Sequence, residues 1–495
     1  MKKLTLSAFF LFTFSVYSQN YIPDNTFGTN GSKVFTGSST AANPNPESGP
    51  IEIYFIDNKY VLVQEYQIAR FNYDGERDLI FGTNGKCVLN GNNKYYNIRG
   101  VKMHNGFFYV CGQVELDGYK TNAFLARISP QGFLDPSFGN QGIAIFDFGN
   151  DPVNLPDNDE FSDLAISSDG SIFTISGIRT GENDADMIVC KVTPQGNFDT
   201  TFNSQGFKSY FSEGSFSSSG KKIFNYQDGF LLLGSQTLQL STSPILTKIN
   251  GNSEVDTNFA VNGIYGAPTY QNAILDGNIM IFSYGSNGNG GFTVVDLNNF
   301  ETQFWSGNVM LTNPIIKLDN DKILATDITC QGVNCFTGIG FKLRRYTFNG
   351  NLDTTFNSSG SYSYSFPGNS PLVTFSHPSA VYVHDDGKIL MAGKIFYESG
   401  YDGLGMLRLI PNALEVTNYN TGKLAIYPNP ASTFLYIENA DNYILENLSI
   451  FDATGRIITV KLTGNKVDIS QLQSGQYILH LTSGNEIINT KFIKN

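Results

Sequence analysis

An all-β chain is what this sequence predicts. Three observations carry that reading: a composition rich in aromatics and glycine but poor in charge, a unit of about 55 residues repeated along most of the chain, and an Asx-Gly turn inside most units. The 495 residues hold 50 Gly, 40 Phe and 26 Tyr, with only 15% charged. Helices need Ala, Leu, Glu and Lys in bulk, whereas this mixture suits pleated strands and tight turns. With 32 Lys+Arg against 44 Asp+Glu, the formal net charge is −12. That balance argues against nucleic acid and against an anionic membrane surface, which both demand Lys and Arg. The length predicts two or more domains.

The repeat is read from Asp-x-x-Phe elements: Asp24 with Phe27, Asp78 with Phe81, Asp135 with Phe138, Asp199 with Phe202, Asp256 with Phe259, and Asp353 with Phe356. A degenerate copy lies at 300–307 with Phe304 in the phenylalanine place, so successive Phe spacings are 54, 57, 64, 57, 45 and 52. An apolar strand and a turn precede the copies. Asn105-Gly106, Asp169-Gly170, Asp228-Gly229, Asp276-Gly277 and Asp386-Gly387 mark hairpins within units, because a type I′ turn needs φ > 0 twice. In the second unit, 86–89, 98–104, 107–114 and 122–129 read as four consecutive strands. Four strands per unit is the blade of a β-propeller. An Asp-x-x-Phe-Gly element opens the series and a strand at 407–411 closes it, so a seven-bladed ring over 19–411 fits, its termini sharing one blade. Six or eight blades stay open because the unit at Phe304 is worn; a solenoid would need capping repeats. The phenylalanines are expected between blades, and the aspartates on backbone N–H groups of the following turn.

These elements resemble the delta-60 repeat, whose units carry Leu-Asp-x-x-Phe-Gly-x-x-Gly and then Asp-Gly-Lys-Ile-Leu-x-x-Gly, the latter intact at 386–393. The resemblance implies the repeat fold and no shared activity.

Residues 1–18 have the layout of a secretory signal peptide, a basic start followed by an apolar run too short to span a bilayer. Export opens disulfide chemistry to five cysteines. Cys330 and Cys335, with a Gly turn between them, are expected to be bridged; Cys87, Cys111 and Cys190 lie in apolar strand runs and read as buried thiols. After a polar linker at 412–424, residues 425–495 alternate over several short strands, the pattern of a small C-terminal β-sandwich. The segment Tyr427-Pro428-Asn429-Pro430, the turn at Gly455, the Gly475 and Tyr477 strand start, and the terminal Lys491 to Lys494 are similar to the type A C-terminal sorting domain of the type IX secretion system of Bacteroidetes. That resemblance implies the outer-membrane type IX machinery as a partner, passage across the outer membrane, and a product released or held at the cell surface.

No catalytic constellation emerges. His104, His377, His384 and His480 form no His-x-x-x-His pair, and His104 and His384 read as exposed turn residues. A nucleophile elbow, a P-loop and a dinucleotide fingerprint are all missing. Function is expected where units depart from the repeat. Asp157, Asp159, Glu160 and Asp163 fall within seven residues, and Asp184 and Asp186 form a second acidic loop in the same unit. Such a charge density either faces water or takes a cationic ligand, with calcium favoured because only oxygen donors are on offer. No other cofactor is expected. The sequence therefore predicts an exported, non-catalytic binding or scaffold propeller for an extracellular glycan, protein or ion. The alternative is a secreted polysaccharide hydrolase or lyase that uses carboxylates as acid and base.

Overall fold

The computed structural model describes residues 20–36, 49–91, 94–116, 120–148, 159–179, 185–210, 217–238, 241–250, 252–286, 289–307, 311–318, 322–328, 340–366, 373–397, 402–412, 426–437, 447–452, 456–483 and 486–495. All regular structure among them is β, and the chain divides into two units, Met1–Pro411 and Asn412–Asn495. The larger holds seven sheets and the smaller two. The leader, Asp157, the Cys330–Cys335 loop, Gly455 and most of the linker lie outside the described residues.

Each sheet of the larger unit is an antiparallel meander. The first comprises Pro50–Ile56, Lys59–Gln64, Gln67–Asn72 and Lys86–Val88; the second, Lys94–His104, Phe107–Glu115, Thr121–Ile128 and Ile143–Phe146, with the short Asn90–Gly91 alongside. The third has Asp163–Ile166, Ile172–Arg179, Ala185–Val192 and Phe207–Ser209; the fourth, Ser217–Tyr226, Gly229–Leu238, Ser241–Ile249 and Ile264–Gly266. Asn272–Asp276, Ile279–Ser286, Asn289–Asp296 and Thr302–Gly307 make the fifth, and Leu311–Leu318, Lys322–Ile328, Phe341–Thr347 and Ser361–Tyr364 the sixth. The seventh takes Val373–Val383, Ile389–Tyr397 and Asp402–Asn412 from the end of the unit, and pairs Asn20–Pro23 and Ser32–Thr36 from its beginning onto Asp402–Asn412.

The sequence grouping is one strand out of phase with these sheets. Lys86–Val88 pairs with Gln67–Asn72 of the first sheet and does not open the second. The arm between third and fourth strands leaves its own sheet, grips the next, and returns.

Second strands are apolar at nearly every position, and the period of two sorts them between two neighbours. Tyr60 and Leu62 pack with the seventh sheet, Val61 and Val63 with the second. Phe230 and Leu232 pack with the third sheet, Leu231 and Leu233 with the fifth. Seven apolar clusters of this kind join each sheet to the next and the seventh back to the first. Each large side chain so buried stabilises by roughly 1.5–3 kcal/mol.

The Asp-x-x-Phe-Gly arms are clasps between sheets. The aspartate accepts the N–H two residues on, at 3.0–3.1 Å for Thr26, Ser137, Thr201, Asn258 and Thr355. It also pairs with a cation eight residues earlier: Arg70–Asp78 at 2.7 Å, Arg127–Asp135 at 2.8 Å, Lys191–Asp199 at 3.1 Å, Lys248–Asp256 at 2.8 Å and Arg345–Asp353 at 2.8 Å. The phenylalanine crosses to the next sheet and lies on a turn glycine. A Cβ on Gly75, Gly132 or Gly196 would come within 2.8, 2.7 or 3.1 Å of the Phe27, Phe81 or Phe138 ring. The following glycine donates its N–H to the same turn, Gly28 to Asp74, Gly82 to Gln131 and Gly139 to Gln195, each at 2.7 Å. The first clasp closes the cycle, since its aspartate, Asp24, pairs with Arg408, 384 residues away.

The fifth sheet has no such arm. A turn at 297–299 leads almost directly from Asn289–Asp296 to Thr302–Gly307. Trp305, and not Phe304, takes the phenylalanine place: its ring atoms lie 2.3 Å from where a Gly350 Cβ would stand. Phe304, one residue off and so on the other face of the strand, is 67% exposed.

In the smaller unit one sheet orders Ile426–Tyr427, Phe434–Ile437, Lys466–Asp468 and Leu462–Thr463; the other orders Ile457–Ile458, Asn447–Asp452, Gly475–Ser483 and Glu486–Lys494. Leu435, Ile437, Ile450, Val467, Leu479 and Phe492 fill the space between them.

Candidate functional site

Most first strands of successive sheets in the larger unit lie beside one another. Several of them are bulged. Pairing skips Arg99 between Ile98 and Gly100 in the second sheet, and Lys221 between Gly220 and Lys222 in the fourth. A bulged residue drops out of the ladder, and its side chain is re-aimed. Both point at Glu160, just ahead of the first strand of the third sheet: Arg99 Nε lies 3.6 Å from Glu160 Oε2, and Lys221 Nζ 4.0 Å from Oε1. The adjacent glycines let the three sheets close up. A Cβ on Gly100 would sit 2.8 Å from Asp163 Oδ1, and one on Gly220 would sit 2.3 Å from the Ile175 side chain. Ser176 and Ser162 hold Glu160 from its own sheet, through its carbonyl and its carboxylate.

A second charged layer adjoins the first. Lys102 Nζ lies 3.9 Å from Asp163 Oδ1, and the Ile223 N–H donates to the Asp163 carboxylate at 3.3 Å. Burial pushes the Glu52 carboxyl of the first sheet up, against the pull of Lys102 and Lys222, and Asp163 adds to the rise. The Glu52 residue is nevertheless exposed. A recess of about 650 Å³ opens beside these groups, lined by Arg99, Glu160, Lys221, Lys222, Tyr270 and Gln271 among others. Burial pushes the Tyr270 hydroxyl up to about 12, so it stays a neutral donor.

The acidic cluster read from the sequence is distributed among these partners. Asp159 is buried and accepts the Phe148 N–H at 2.9 Å, tying the loop to the second sheet. Glu160 and Asp163 face cations. Asp186 sits opposite Ile178 in its hairpin, and Asp157 and Asp184 lie outside the described residues. Among the described residues no three His, Cys, Asp or Glu side chains converge as a metal would require. Sequence reasoning missed Arg99, Lys102, Lys221, Lys222 and Glu52. Its one usable signal was a glycine next to a charge inside an apolar strand, which marks a bulge.

His384 is a correction. It is 8% exposed, not a surface turn residue, because the seventh sheet packs on the first and encloses it between Phe55, Tyr60 and Tyr382. Its Nε2 lies 2.7 Å from the Tyr60 hydroxyl, and burial holds its pKa down. Cys87, Cys111 and Cys190 are free and buried, and burial pushes the Cys87 thiol up to about 12.

In the smaller unit the sequence elements meet at one sheet edge. Asn429 donates its side-chain N–H to the Lys491 carbonyl at 3.2 Å and accepts the Ile493 N–H at 2.9 Å. Ala431 continues the cover, donating to Ile493 at 2.8 Å and accepting from Asn495 at 2.9 Å. Tyr427 stacks on Tyr436, and Tyr477 stacks on Phe492 while its hydroxyl donates to the Gln473 carbonyl at 2.9 Å. Gly475 pairs with Lys494 at the same end of that strand pair.

Residues 425–495 match the family described as the secretion system C-terminal sorting domain. The chain thus carries a type IX sorting domain, a partner for that secretion machinery and a mark for export across the outer membrane. No curated protein matches the chain. Among solved structures it is similar to the Pan2 WD40 domain of Neurospora crassa, with 8% identity over 72% of this chain and 89% of that one, TM-score 0.39. A neuraminidase-like protein of A/little yellow-shouldered bat/Guatemala matches at 10% identity over 62% of this chain and 93% of that one, TM-score 0.33. PorZ, a bacterial surface component of the type-IX secretion system of Porphyromonas gingivalis, matches at 11% identity over 95% of this chain and 86% of that one, TM-score 0.24. Scores this low carry no argument.

Proposed function

We propose that the chain is an exported seven-bladed β-propeller that binds an extracellular ligand without chemistry, delivered by its type IX sorting domain and then released or held at the surface. Seven apolar clusters linking seven sheets in a cycle support the blade count. One observation carries the binding reading: Glu160, on the wall of the recess, and the buried Asp163 each face cations from neighbouring sheets. That is an ionic surface built for recognition. The test is a screen of the purified exported protein against glycans, proteins and calcium, with depolymerisation assayed alongside. Binding without turnover is expected.

A specific observation keeps the hydrolase or lyase reading in view. Burial raises the Glu52 carboxyl, the condition a general acid needs, and Asp163 adds to that rise. Polysaccharide cleavage that disappears in Glu52→Gln would establish that reading instead.

A further inference from the structure

Resting on the binding reading above, we propose that the recess lined by residues of the second, third and fourth sheets and the entry to the fifth binds an anionic saccharide, a sugar ring carrying a carboxylate or a sulfate. Arg99, Lys221 and Lys222 stand against one carboxylate, Glu160, on its wall. A cationic recess in a chain of net charge −12 is a local inversion of sign, and such inversions focus anions. Two of the three cations owe their aim to bulges, and the glycines beside those bulges allow the sheets to approach. Neither cation is within hydrogen-bonding distance of Glu160, at 3.6 and 4.0 Å. The carboxylate sets the two apart and leaves their donors for a ligand. Tyr270 and Ser235 also line the recess and bring hydroxyl groups to its wall. Its volume of about 650 Å³ lies within the range of small-molecule sites. A densely charged polymer such as nucleic acid would be repelled by the rest of the surface, whereas a single charged ring would not.

The experiment is titration calorimetry of the full exported protein with a uronic-acid oligosaccharide, a sulfated oligosaccharide and a neutral one of equal length, at low and physiological salt. Binding of one or both anionic sugars is expected, at least tenfold tighter than the neutral sugar and weakened by salt. Arg99→Gln and Lys221→Gln should each lower affinity roughly 10- to 100-fold, the range for a charge-assisted hydrogen bond. Arg99→Lys should restore part of it, and Lys461→Gln in the smaller unit should change nothing. Equal affinity for the neutral sugar, or anionic binding that survives Arg99→Gln with Lys221→Gln, overturns the proposal and leaves the binding reading standing. Turnover of a sugar abolished by Glu52→Gln overturns the binding reading itself.

Discussion

One buried ion pair joins the strands and the apolar cluster that close the cycle of sheets, and its removal is a sharp test of the fold. Arg408 is fully buried and its guanidinium makes four hydrogen bonds: Nε donates to Asp24 at 2.8 Å, one terminal nitrogen to the Tyr60 hydroxyl at 3.2 Å and to the Tyr73 carbonyl, the other to Thr26 at 3.0 Å. Every acceptor comes from the N-terminal strand region or the first sheet, so the residue ties the last sheet to both. Asp24→Asn leaves a buried guanidinium without its counter-charge, a loss of about 3–5 kcal/mol. The internal control is Asp135→Asn, which breaks the equivalent Arg127 pair where the side chains are 14% and 15% exposed; there the loss should be nearer 1 kcal/mol. With an unfolding entropy of about 2.1 cal/mol/K per residue, a unit of about 390 residues should lose roughly 4–6 °C in Tm from Asp24→Asn and about 1 °C from Asp135→Asn. Calorimetry or tyrosine fluorescence on the exported protein reads both. The double variant Asp24→Ala with Arg408→Met should recover part of the loss, because two apolar groups replace a stranded charge. Equal shifts for Asp24→Asn and Asp135→Asn would refute the closure argument.

Trp305→Ala should cost about 3–5 kcal/mol in a denaturant titration, since that ring packs on Gly350, Phe292 and Tyr346, while Phe304→Ala should stay within about 0.5 kcal/mol. Acid should unfold the larger unit through its clasps. Burial would raise the Asp353 pKa, but Thr355, Lys322 and Arg345 outweigh it and hold it down to about 2, and the pKa values of Asp24, Asp78, Asp135, Asp199 and Asp256 are lowered too. A folded-state pKa below the unfolded value of about 3.9 gives stability that is present above that pH and lost as pH falls toward 2. Melting temperature against pH should therefore drop below about pH 5, and less steeply in Asp353→Asn. Asn429→Ala should speed amide exchange at Ile493 and lower export yield, because it uncovers the sheet edge at Lys491 and Ile493.

Much of the larger unit was legible because its clasp is written in contiguous residues. The phenylalanine spacing gave the period, and Asn105-Gly106 does turn with φ of 49° and 81°, whereas Asp169, Asp228, Asp276 and Asp386 are not at positive φ, so the paired positive φ expected at those four turns is not found. Asp57-Asn58 makes the corresponding turn in the first sheet with φ of 50° and 59° and no glycine at all, so the cue there was silent. The cation eight residues before five of the six aspartates was in plain view yet unassigned, because its role appears only when the arm folds back on its own strand. The recess was less legible for a physical reason. Chain proximity grouped Asp157, Asp159, Glu160 and Asp163 as self-repelling charges, whereas the cations that face Glu160 and Asp163, namely Arg99, Lys221 and Lys102, come from other sheets, and bulges aim the first two. His384 was misread likewise: its burial exists only once the seventh sheet meets the first.

The division of labour between clasp and recess follows from burial. The seven apolar clusters and the six Asp-x-x-Phe clasps repeat along the chain and hold the sheets, whereas Arg99 and Lys221 bridge sheets only through exposed pairs with Glu160. The Arg99 and Lys221 side chains are 43% and 52% exposed, and ion pairs so exposed contribute about 0–1 kcal/mol. Substituting them therefore removes recognition and leaves the ring almost untouched. Arg99→Gln with Lys221→Gln should keep the parent Tm within about 1–2 °C while its anion affinity falls. A loss comparable to that of Asp24→Asn would instead make those cations part of the scaffold and deny them a ligand.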